Sequence, residues 1–470
     1  MNRKRKLKAI GMCFALALFV TACVTEPTSN SNSETRLATQ TPSSSPATTP
    51  VTQVAAVPIT LPVLDAFFSS DEKFPGELKT KLSLTDEQIA QLQAVARQET
   101  SKLRETETGD HSGTTAEARE LAANRVKEII GAEKGSQLAA LVSERWTAGD
   151  EPDTTSASSN KESTPSAPNA VPTDSRIVVN TPAYRMDVFE GGRLVKSYKV
   201  GIGYPEFPLP TGLRKAKAII FNPTWTPPDE PWVESPSSKV KVGQKVEAGS
   251  KLNPLGLLKI PIGSPSLIHG GKSPAKLGTF ASHGCVGLTD ALAQDFAKVL
   301  AQLGGKPLSD SDIASYKKNR SETKQVSLTN PVPVELRYET IVAEDGKLHI
   351  YRDVYDRDTN TEANLRAVLE ANGVKLEDLT EAERSEVLEA LSEMSRDAKG
   401  KLDQQPATSA KSTGSPTASP VASPKPAPKS GRVTRSVKGK KEIVIEIAAL
   451  KGKGYPAMAV SGAQNPKAKS

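Results

Sequence analysis

Cysteine and histidine are scarce in this chain: its 470 residues include three cysteines and four histidines. No paired CxxC or HxxxH spacing supports a zinc site, so we expect no bound metal. Aromatic residues make up only 4% of the chain, and the mixture of aromatic and basic residues that favours nucleic-acid binding is missing. We therefore expect no nucleic-acid partner, although a net charge of +7 suits polyanionic surroundings.

The first residues have the pattern of an export signal. Basic residues between positions 3 and 8 precede an apolar run, 10–20, that is too short to cross a bilayer comfortably as a helix. The sequence VTAC, 20–23, resembles a bacterial lipobox, in which the cysteine is lipidated and becomes the first mature residue. The alternative is an ordinary cleaved signal with Cys23 as a bystander.

These features predict an exported lipoprotein that faces the periplasm and contacts the membrane through a lipid on Cys23. Val24 stands where such signals often carry Asp to retain a protein in the inner membrane, which implies the outer membrane where the cell has one. Cys13 would leave with the signal, so Cys285 would be the single free thiol. In an oxidising compartment an unpaired cysteine is more often reactive than structural, with a small buried apolar residue as the alternative.

Stretches rich in Ser, Thr and Pro lack apolar periodicity and indicate solvated linkers between folded parts. The predicted order is a lipoprotein signal peptide (1–22), a Ser/Thr/Pro-rich tether (23–58), a helical accessory module (59–148), a linker (149–174), a strand-rich domain (175–358), a helical hairpin (359–398), a basic Pro/Ser/Lys linker (399–440) and a short β-prone tail (441–470). Because a lone strand is unstable, the tail should join another sheet or stay disordered.

The accessory module has clear helix signals. In LSLTDEQIAQLQ, Thr85 and Gln88 fit a capping box, and Ile89, Leu92 and Ala96 fall on one face. LTDEQ is similar to the LTxxQ signature of small periplasmic stress chaperones, but any capped helix that begins this way gives the same match. We expect an interaction or spacer module, with residues 59–148 as the candidate binding surface for a protein partner.

The domain at 175–358 has many short β-prone runs and one embedded helix, which Thr289 can cap. Its last two strands flank Asp345 and Gly346. This pattern favours a mainly β fold, a β-sandwich or barrel-like catalytic body, accompanied by small all-α accessory modules and disordered linkers.

The segment ASHGCVGL places Cys285 in an unusual setting. A cysteine nucleophile needs a base to form the thiolate and donors for the oxyanion that follows attack. His283 at i−2 would share the face of Cys285 in an extended strand, and His269 ends the apolar run SLIHG. The N–H groups of Gly284 and Cys285 can face a reacting carbonyl, and the positive end of the next helix should lower the thiol pKa.

Three other interpretations compete with a thiol nucleophile. A zinc site formed by His269, His283 and Cys285 has enough ligands but lacks a supporting spacing. A papain-like enzyme would place its cysteine before its histidine. A merely packed cysteine explains neither the histidines nor the glycines, so the spacing favours the nucleophile.

IHGG followed by SHGCVGL resembles the active-site signature of the L,D-transpeptidases, the YkuD-type catalytic family. Further segments are similar to this family: PLPTGLRKAKAIIFNPTWTPPDEPW (208–232), NPLGLLKI (253–260) and PVPVELRYETIVAEDGKLHIYRDVYDRD, which resembles the C-terminal strands of longer members. The resemblance implies a YkuD-like fold for the strand-rich domain and acyl transfer on peptidoglycan stem peptides.

The resemblance also implies a reaction. Cys285 would attack the carbonyl of the L-centre of the third stem residue, expel the terminal D-alanine and pass the acyl group to an amine. This gives a 3-3 crosslink or attachment to a protein. The bond energy is held in the thioester, so no cofactor is needed. His269 would be the general base, and the backbone carbonyl of Gly270 would orient its ring. His283 and Gly284 would line the oxyanion region, and Ser282 would support the loop.

The chain departs from the family at Gly287, where members commonly carry Arg or Asn. Lys272 and Lys276 are candidates to supply the missing positive charge to substrate, and a solvated loop is the alternative. Two other functions remain open. A carboxypeptidase would deliver the same thioester to water, and a wall-binding lipoprotein would bind stem peptides without turnover.

Overall fold

The computed structural model describes residues 59–103, 113–148, 167–228, 233, 238–395, 433–437 and 439–459. The predicted signal peptide, Cys23 and the tether lie outside these residues, as do 149–166, 399–432 and 460–470 of the predicted linkers and tail. Within the described ranges, no helix is long and apolar enough to cross a membrane.

The N-terminal module is helical, and its packing follows from the apolar stripes of its helices. Thr85 and Gln88 form the predicted capping box at the start of the third helix. Gly131 has φ 81°, which breaks the last helix into two segments. Phe74 and Trp146 are almost fully buried in the module's core. The helices are α1 (Leu61–Ser70), α2 (Phe74–Leu82), α3 (Asp86–Lys102) and α4 (Thr115–Ala148).

The strand-rich domain is mainly β, as predicted, and is organised around one curled eight-stranded sheet in the order β3-β2-β1-β10-β5-β6-β7-β9. Parallel pairs join β1 to β10 and β7 to β9, and β4 with β8 forms a separate parallel pair. The strands are β1 (Arg176–Asn180), β2 (Arg185–Glu190), β3 (Arg193–Lys199), β4 (Ile202–Gly203), β5 (Gly212–Phe221), β6 (Leu258–Pro261), β7 (Leu267–His269), β8 (Phe280–Ser282), β9 (Val286–Gly287) and β10 (Lys324–Arg337).

Helix α5 (Asp290–Leu303) is the embedded helix of this domain and begins directly after the cysteine motif. Thr289 caps it by accepting a hydrogen bond from the N–H of Leu292, as predicted. Its apolar stripe, with Phe296 and Leu300 fully buried, packs into the core formed by the sheet. Helix α6 (Asp310–Lys318) follows.

The C-terminal part differs from the prediction. The strands flanking Asp345 and Gly346 were assigned to the domain at 175–358, and residues 359–398 to a separate helical hairpin. Instead, β11 (Ile341–Glu344), β12 (Lys347–Tyr351) and β13 (Glu442–Glu446) form their own antiparallel sheet. Helices α7 (Glu362–Ala371) and α8 (Glu381–Met394) share one core with it.

The hairpin and the two helices form one unit because each has an apolar face that the other covers. Leu348 and Ile350 of the hairpin are fully buried against Leu369 and Val387 of the two helices. The tail strand joins this sheet, because a lone strand cannot satisfy its backbone. The result is an α+β unit rather than an all-α module, and residues 341–351 belong to it.

Part of the predicted basic linker is also packed. Val433 is 1% exposed and lies in the same core as the large sheet. Lys441 donates a hydrogen bond of 2.7 Å to the carbonyl of Gly278. Residues 433–437 are therefore a strap on the body rather than a solvated spacer.

Candidate active site

The two halves of the cysteine–histidine motif lie on neighbouring parallel strands. Ile268 pairs with Val286, and His269 pairs with Gly287. Continued by one residue, this register sets Cys285 opposite Leu267. A backbone hydrogen bond from Leu267 to Cys285 agrees with this placement, so Cys285 lies at the end of the strand pair that carries His269.

Cys285 occupies a turn and not the extended strand that was expected. Gly284 has φ 87°, a conformation that residues with a Cβ rarely adopt. Ser282 Oγ accepts a 3.0 Å hydrogen bond from the N–H of Cys285 and donates one of 2.6 Å to its carbonyl. These two bonds close the turn and hold the half-buried Cys285 side chain at the start of β9.

The turn also changes the predicted oxyanion donors. The N–H of Cys285 is engaged by Ser282, so it does not point freely at a substrate carbonyl. The hydrogen bonds within the described ranges leave the N–H of Gly284 available. Gly284 is therefore the better donor of the two.

His269 has the environment of a neutral base. Its ring is 3% exposed, and Nδ1 lies 2.7 Å from the carbonyl oxygen of Gly270. A carbonyl only accepts hydrogen bonds, so Nδ1 carries the proton and Nε2 keeps its lone pair. Burial, helped by the charge of Lys272, lowers the pKa of His269 to about 3.

The electrostatics of the thiol contradict the expected activation. Burial raises the pKa of Cys285 above its ordinary value, and a backbone hydrogen bond from Leu267 and the charge of Lys272 offset only part of this effect. The resting pair is consequently a neutral thiol beside a neutral imidazole, and the proton must leave during attack.

His283 does not have the same environment as His269. Its ring packs edge-on against two aromatic rings, with centroid distances of 5.2 Å to Tyr204 and 4.7 Å to Phe207. The backbone N–H of Tyr204 donates a 2.9 Å hydrogen bond to the carbonyl of Ser282. His283 is thus a packed support of the cysteine turn and of the loop that carries the two aromatics.

Asp290 is a residue of the site that the sequence analysis missed. Its Oδ1 accepts hydrogen bonds from the N–H groups of Leu257, at 2.8 Å, and Gly271, at 2.9 Å. A Cβ on Gly270 would lie only 2.5 Å from the same oxygen. Asp290 therefore fixes the glycine turn whose carbonyl orients His269. The available signal was its position directly after the cap residue of α5, which also marks an ordinary helix start.

The two lysines of the intervening loop are placed differently. Lys272 is half-buried between exposed neighbours, and its side chain lies over Gly287. Lys276 ends a short 3₁₀ turn, Pro274–Lys276, and its charge is not a cause of the pKa shift of either His269 or Cys285. Among the described residues, no group of three His, Cys, Asp or Glu side chains can hold a metal ion.

Beside this site lies a second buried polar cluster, the Glu206 junction, formed by Pro205, Glu206, Thr60, Thr115 and Thr434. Thr60 and Thr115, at the starts of α1 and α4, donate to the backbone carbonyls of Glu206 and Pro205, at 2.6 and 2.8 Å. The Glu206 carboxylate lies 3.1 Å from the N and 2.7 Å from the Oγ of Thr434. The junction thus ties the helical module and the strap to the loop between Tyr204 and Phe207.

Glu206 is 6% exposed, and burial raises the pKa of its carboxyl from 4.5 to about 7. The hydrogen bonds from Thr434 act in the opposite direction but are smaller. No sequence motif marks this residue.

Residues 174–325 match the sequence model of the family described as the YkuD L,D-transpeptidase catalytic domain. The mainly β fold of these residues is consistent with this match. No curated protein matches the chain.

Several solved structures match part of the chain at low identity. An L,D-transpeptidase from Mycobacterium smegmatis is 16% identical, with 35% of this chain and 58% of that chain covered and a TM-score of 0.22. The catalytic domain of an Enterococcus faecium L,D-transpeptidase is 16% identical, with 36% and 100% covered and a TM-score of 0.22. L,D-transpeptidase 3 from Mycobacterium tuberculosis is 14% identical, with 35% and 60% covered and a TM-score of 0.22. This chain therefore spans less than two thirds of the first of these proteins.

Proposed function

We propose that this protein is a peptidoglycan L,D-transpeptidase in which Cys285 carries the acyl group of a stem peptide. The observation that carries the proposal is the parallel β7–β9 pair. This pair supports the proposal because, inside the segment that matches the family, it joins the strand of His269, whose Nδ1 lies 2.7 Å from the carbonyl oxygen of Gly270, to the strand that directly follows Cys285.

The first half-reaction forms a thioester. The sulfur of Cys285 attacks the carbonyl carbon of the L-centre of the third stem residue while Nε2 of His269 takes the thiol proton. The N–H of Gly284 stabilises the oxyanion. The bond to the terminal D-alanine then breaks, and His269 returns the proton to the leaving amine.

The second half-reaction transfers the acyl group. An acceptor amine attacks the thioester, His269 takes a proton from it, and the C–S bond breaks. The sulfur leaves as a thiolate and recovers its proton from His269, so the resting pair is restored. With the side-chain amine of another third residue the product is a 3-3 crosslink, and with a protein amine it is a covalent attachment.

The cellular setting remains part of the proposal. The N-terminal pattern supports an exported lipoprotein anchored through Cys23, which would hold the enzyme at a membrane beside its substrate. The helical module at 59–148 is the candidate surface for a protein partner. The Glu206 junction joins this module to the loop that packs on His283. A partner bound to the module would therefore be connected to the active site through that loop.

The test is mass spectrometry of products after the full-length protein, purified in detergent, is incubated with disaccharide-tetrapeptide. We expect a dimer that has lost one D-alanine, which disappears with Cys285→Ala. Circular dichroism confirms that the variant is folded. Tripeptide as the sole product would establish the carboxypeptidase instead, and unchanged tetrapeptide would favour the wall-binding protein.

A further inference from the structure

Gly287 and Lys272 fit each other sterically. A Cβ added at Gly287 would lie 2.8 Å from Cγ and 3.0 Å from Cε of Lys272, so any larger residue would have to displace the lysine. The backbone N–H of Lys272 is fixed by a 3.0 Å hydrogen bond to the carbonyl of Leu288. The absence of a side chain at position 287 is therefore what allows the Lys272 side chain to lie there.

The same contact puts the lysine on the reactive face of the sheet. Gly287 pairs with His269 in the parallel register, so the direction of its missing Cβ is shared by the His269 side chain. The positive charge acts on both groups, since Lys272 lowers the pKa of His269 and of Cys285. Lys272 thus supplies a cation within electrostatic reach of the bond to be broken.

We propose that Lys272 binds the terminal carboxylate of the donor stem peptide and makes the enzyme selective for donors that end at the residue being expelled. This rests on the proposed function. In such a donor the carboxylate is attached to the carbon that bears the leaving nitrogen, so it lies next to the scissile carbonyl that Cys285 attacks. An ammonium held over Gly287 is placed to pair with it.

The proposal predicts discrimination by charge rather than by size. A tetrapeptide with a free terminal carboxylate should bind well, and the same peptide as its C-terminal carboxamide should bind poorly, because the amide offers the lysine no negative charge. Peptides extended by a fifth residue move the carboxylate away and should also bind poorly. The geometry points to Lys272 alone, since the charge of Lys276 acts on neither reacting group.

Binding can be measured without turnover in the full-length Cys285→Ala protein. Isothermal titration calorimetry with the disaccharide-tetrapeptide acid and its carboxamide should give at least tenfold tighter binding of the acid. Adding Lys272→Met should abolish the preference. Adding Gly287→Ala should reduce it by displacing the lysine. Lys318→Met, an exposed lysine of α6, is the matched control and should leave it unchanged.

Equal affinity for acid and carboxamide, a preference that survives Lys272→Met, or no binding of either peptide would each overturn the proposal. Turnover by the protein with Cys285 intact separates this result from the fate of the proposed function. Equal release of D-alanine and its amide, with dimer formed from both peptides, would overturn the role of Lys272 and leave the proposed function standing. A binding preference for the carboxylate without any D-alanine release would support the role of Lys272 and overturn the proposed function.

Discussion

Two buried ionisable groups, His269 and Glu206, have different roles in this molecule. Burial favours the neutral form of each, lowering the pKa of His269 to about 3 and raising that of Glu206 to about 7. The loop of Glu206 is hydrogen-bonded to the cysteine turn through Tyr204 and Ser282, so the two environments are neighbours. What distinguishes them is the set of partners around each group.

His269 has one fixed partner, the carbonyl of Gly270, and leaves Nε2 free for a proton. Glu206 is surrounded by donors from Thr434, and its own backbone carbonyl is held by Thr60. At His269, burial and a single partner leave a neutral imidazole whose Nε2 can take a proton. At Glu206, burial is combined with partners from distant parts of the chain, and the result is a junction between modules.

The largest effect is expected from removing the base. His269→Ala should lower the rate of D-alanine release by about 10³-fold or more, because the proton of Cys285 then has no acceptor. His283→Ala should cost about tenfold, since that ring supports the turn through packing. His349→Ala, in β12 and outside the site, is the control. Equal losses for His269→Ala and His283→Ala, or a larger loss for the latter, would show that the base is misassigned.

The next effect concerns stability at the Glu206 junction. Because the folded-state pKa lies above 4.5, the folded protein keeps a proton between about pH 4.5 and 7 that the unfolded chain has released. The contribution of Glu206 to stability should therefore fall as pH rises through this window, by about 3 kcal/mol in total, while His269, whose pKa is lowered to about 3, contributes in the opposite sense up to about pH 6.5. Glu206→Gln keeps an acceptor for Thr434 and removes the titration.

Urea unfolding at several pH values measures this difference. Between pH 4.5 and 7 the free energy of unfolding of the unmodified protein should fall by about 3 kcal/mol relative to that of Glu206→Gln, because the contribution of His269 is the same in both proteins and cancels. Glu190→Gln, at the exposed end of β2, should show the same pH dependence as the unmodified protein. A difference between the unmodified protein and Glu206→Gln that does not change with pH would mean that Glu206 does not titrate in this range.

Asp290 tests whether the orientation of His269 depends on the glycine turn. Asp290→Ala leaves the N–H groups of Leu257 and Gly271 without their acceptor and should lower kcat by about tenfold, with a smaller change in KM. Asp290→Asn keeps one oxygen acceptor and should recover most of the rate. If both variants lose activity equally, a negative charge rather than the hydrogen bonds is what the site needs.

The smallest effect is expected from the strap. Thr434→Val keeps the size and the backbone N–H of Thr434 but removes the hydroxyl that faces Glu206. We expect a loss of about 1 kcal/mol in the free energy of unfolding at pH 8, where Glu206 is charged, and less at pH 5. An equal loss at both pH values would show that the Thr434 hydroxyl stabilises the fold independently of the charge on Glu206.

The sequence predicted the parts of this contrast that depend on local pattern. The motif singled out Cys285 and His269, whose segments the β7–β9 pair brings together, the capping signals located α3 and α5, and the tail was expected to join a sheet. Periodicity and capping act within a few residues, so they can be recognised without a fold.

Features that arise from tertiary packing were not predictable in this way. The sign of the Cys285 pKa shift depends on burial by the folded body, not on the nearby helix terminus. Strand β13 pairs with β12 across about ninety residues in sequence. This pairing makes the β11–β12 hairpin part of the C-terminal α+β unit rather than of the catalytic domain. The Glu206 junction joins four segments that no local pattern connects.

We infer that the thiol of Cys285 and the imidazole of His269 are both neutral at rest, and the pH dependence of Cys285 alkylation measures this. The rate of modification by iodoacetamide is followed by mass spectrometry of the peptide that contains Cys285. We expect slow modification at pH 5 to 7, rising towards an apparent pKa above that of an ordinary thiol. A rapid rate that stays constant down to pH 5 would show a preformed thiolate–imidazolium pair and contradict it.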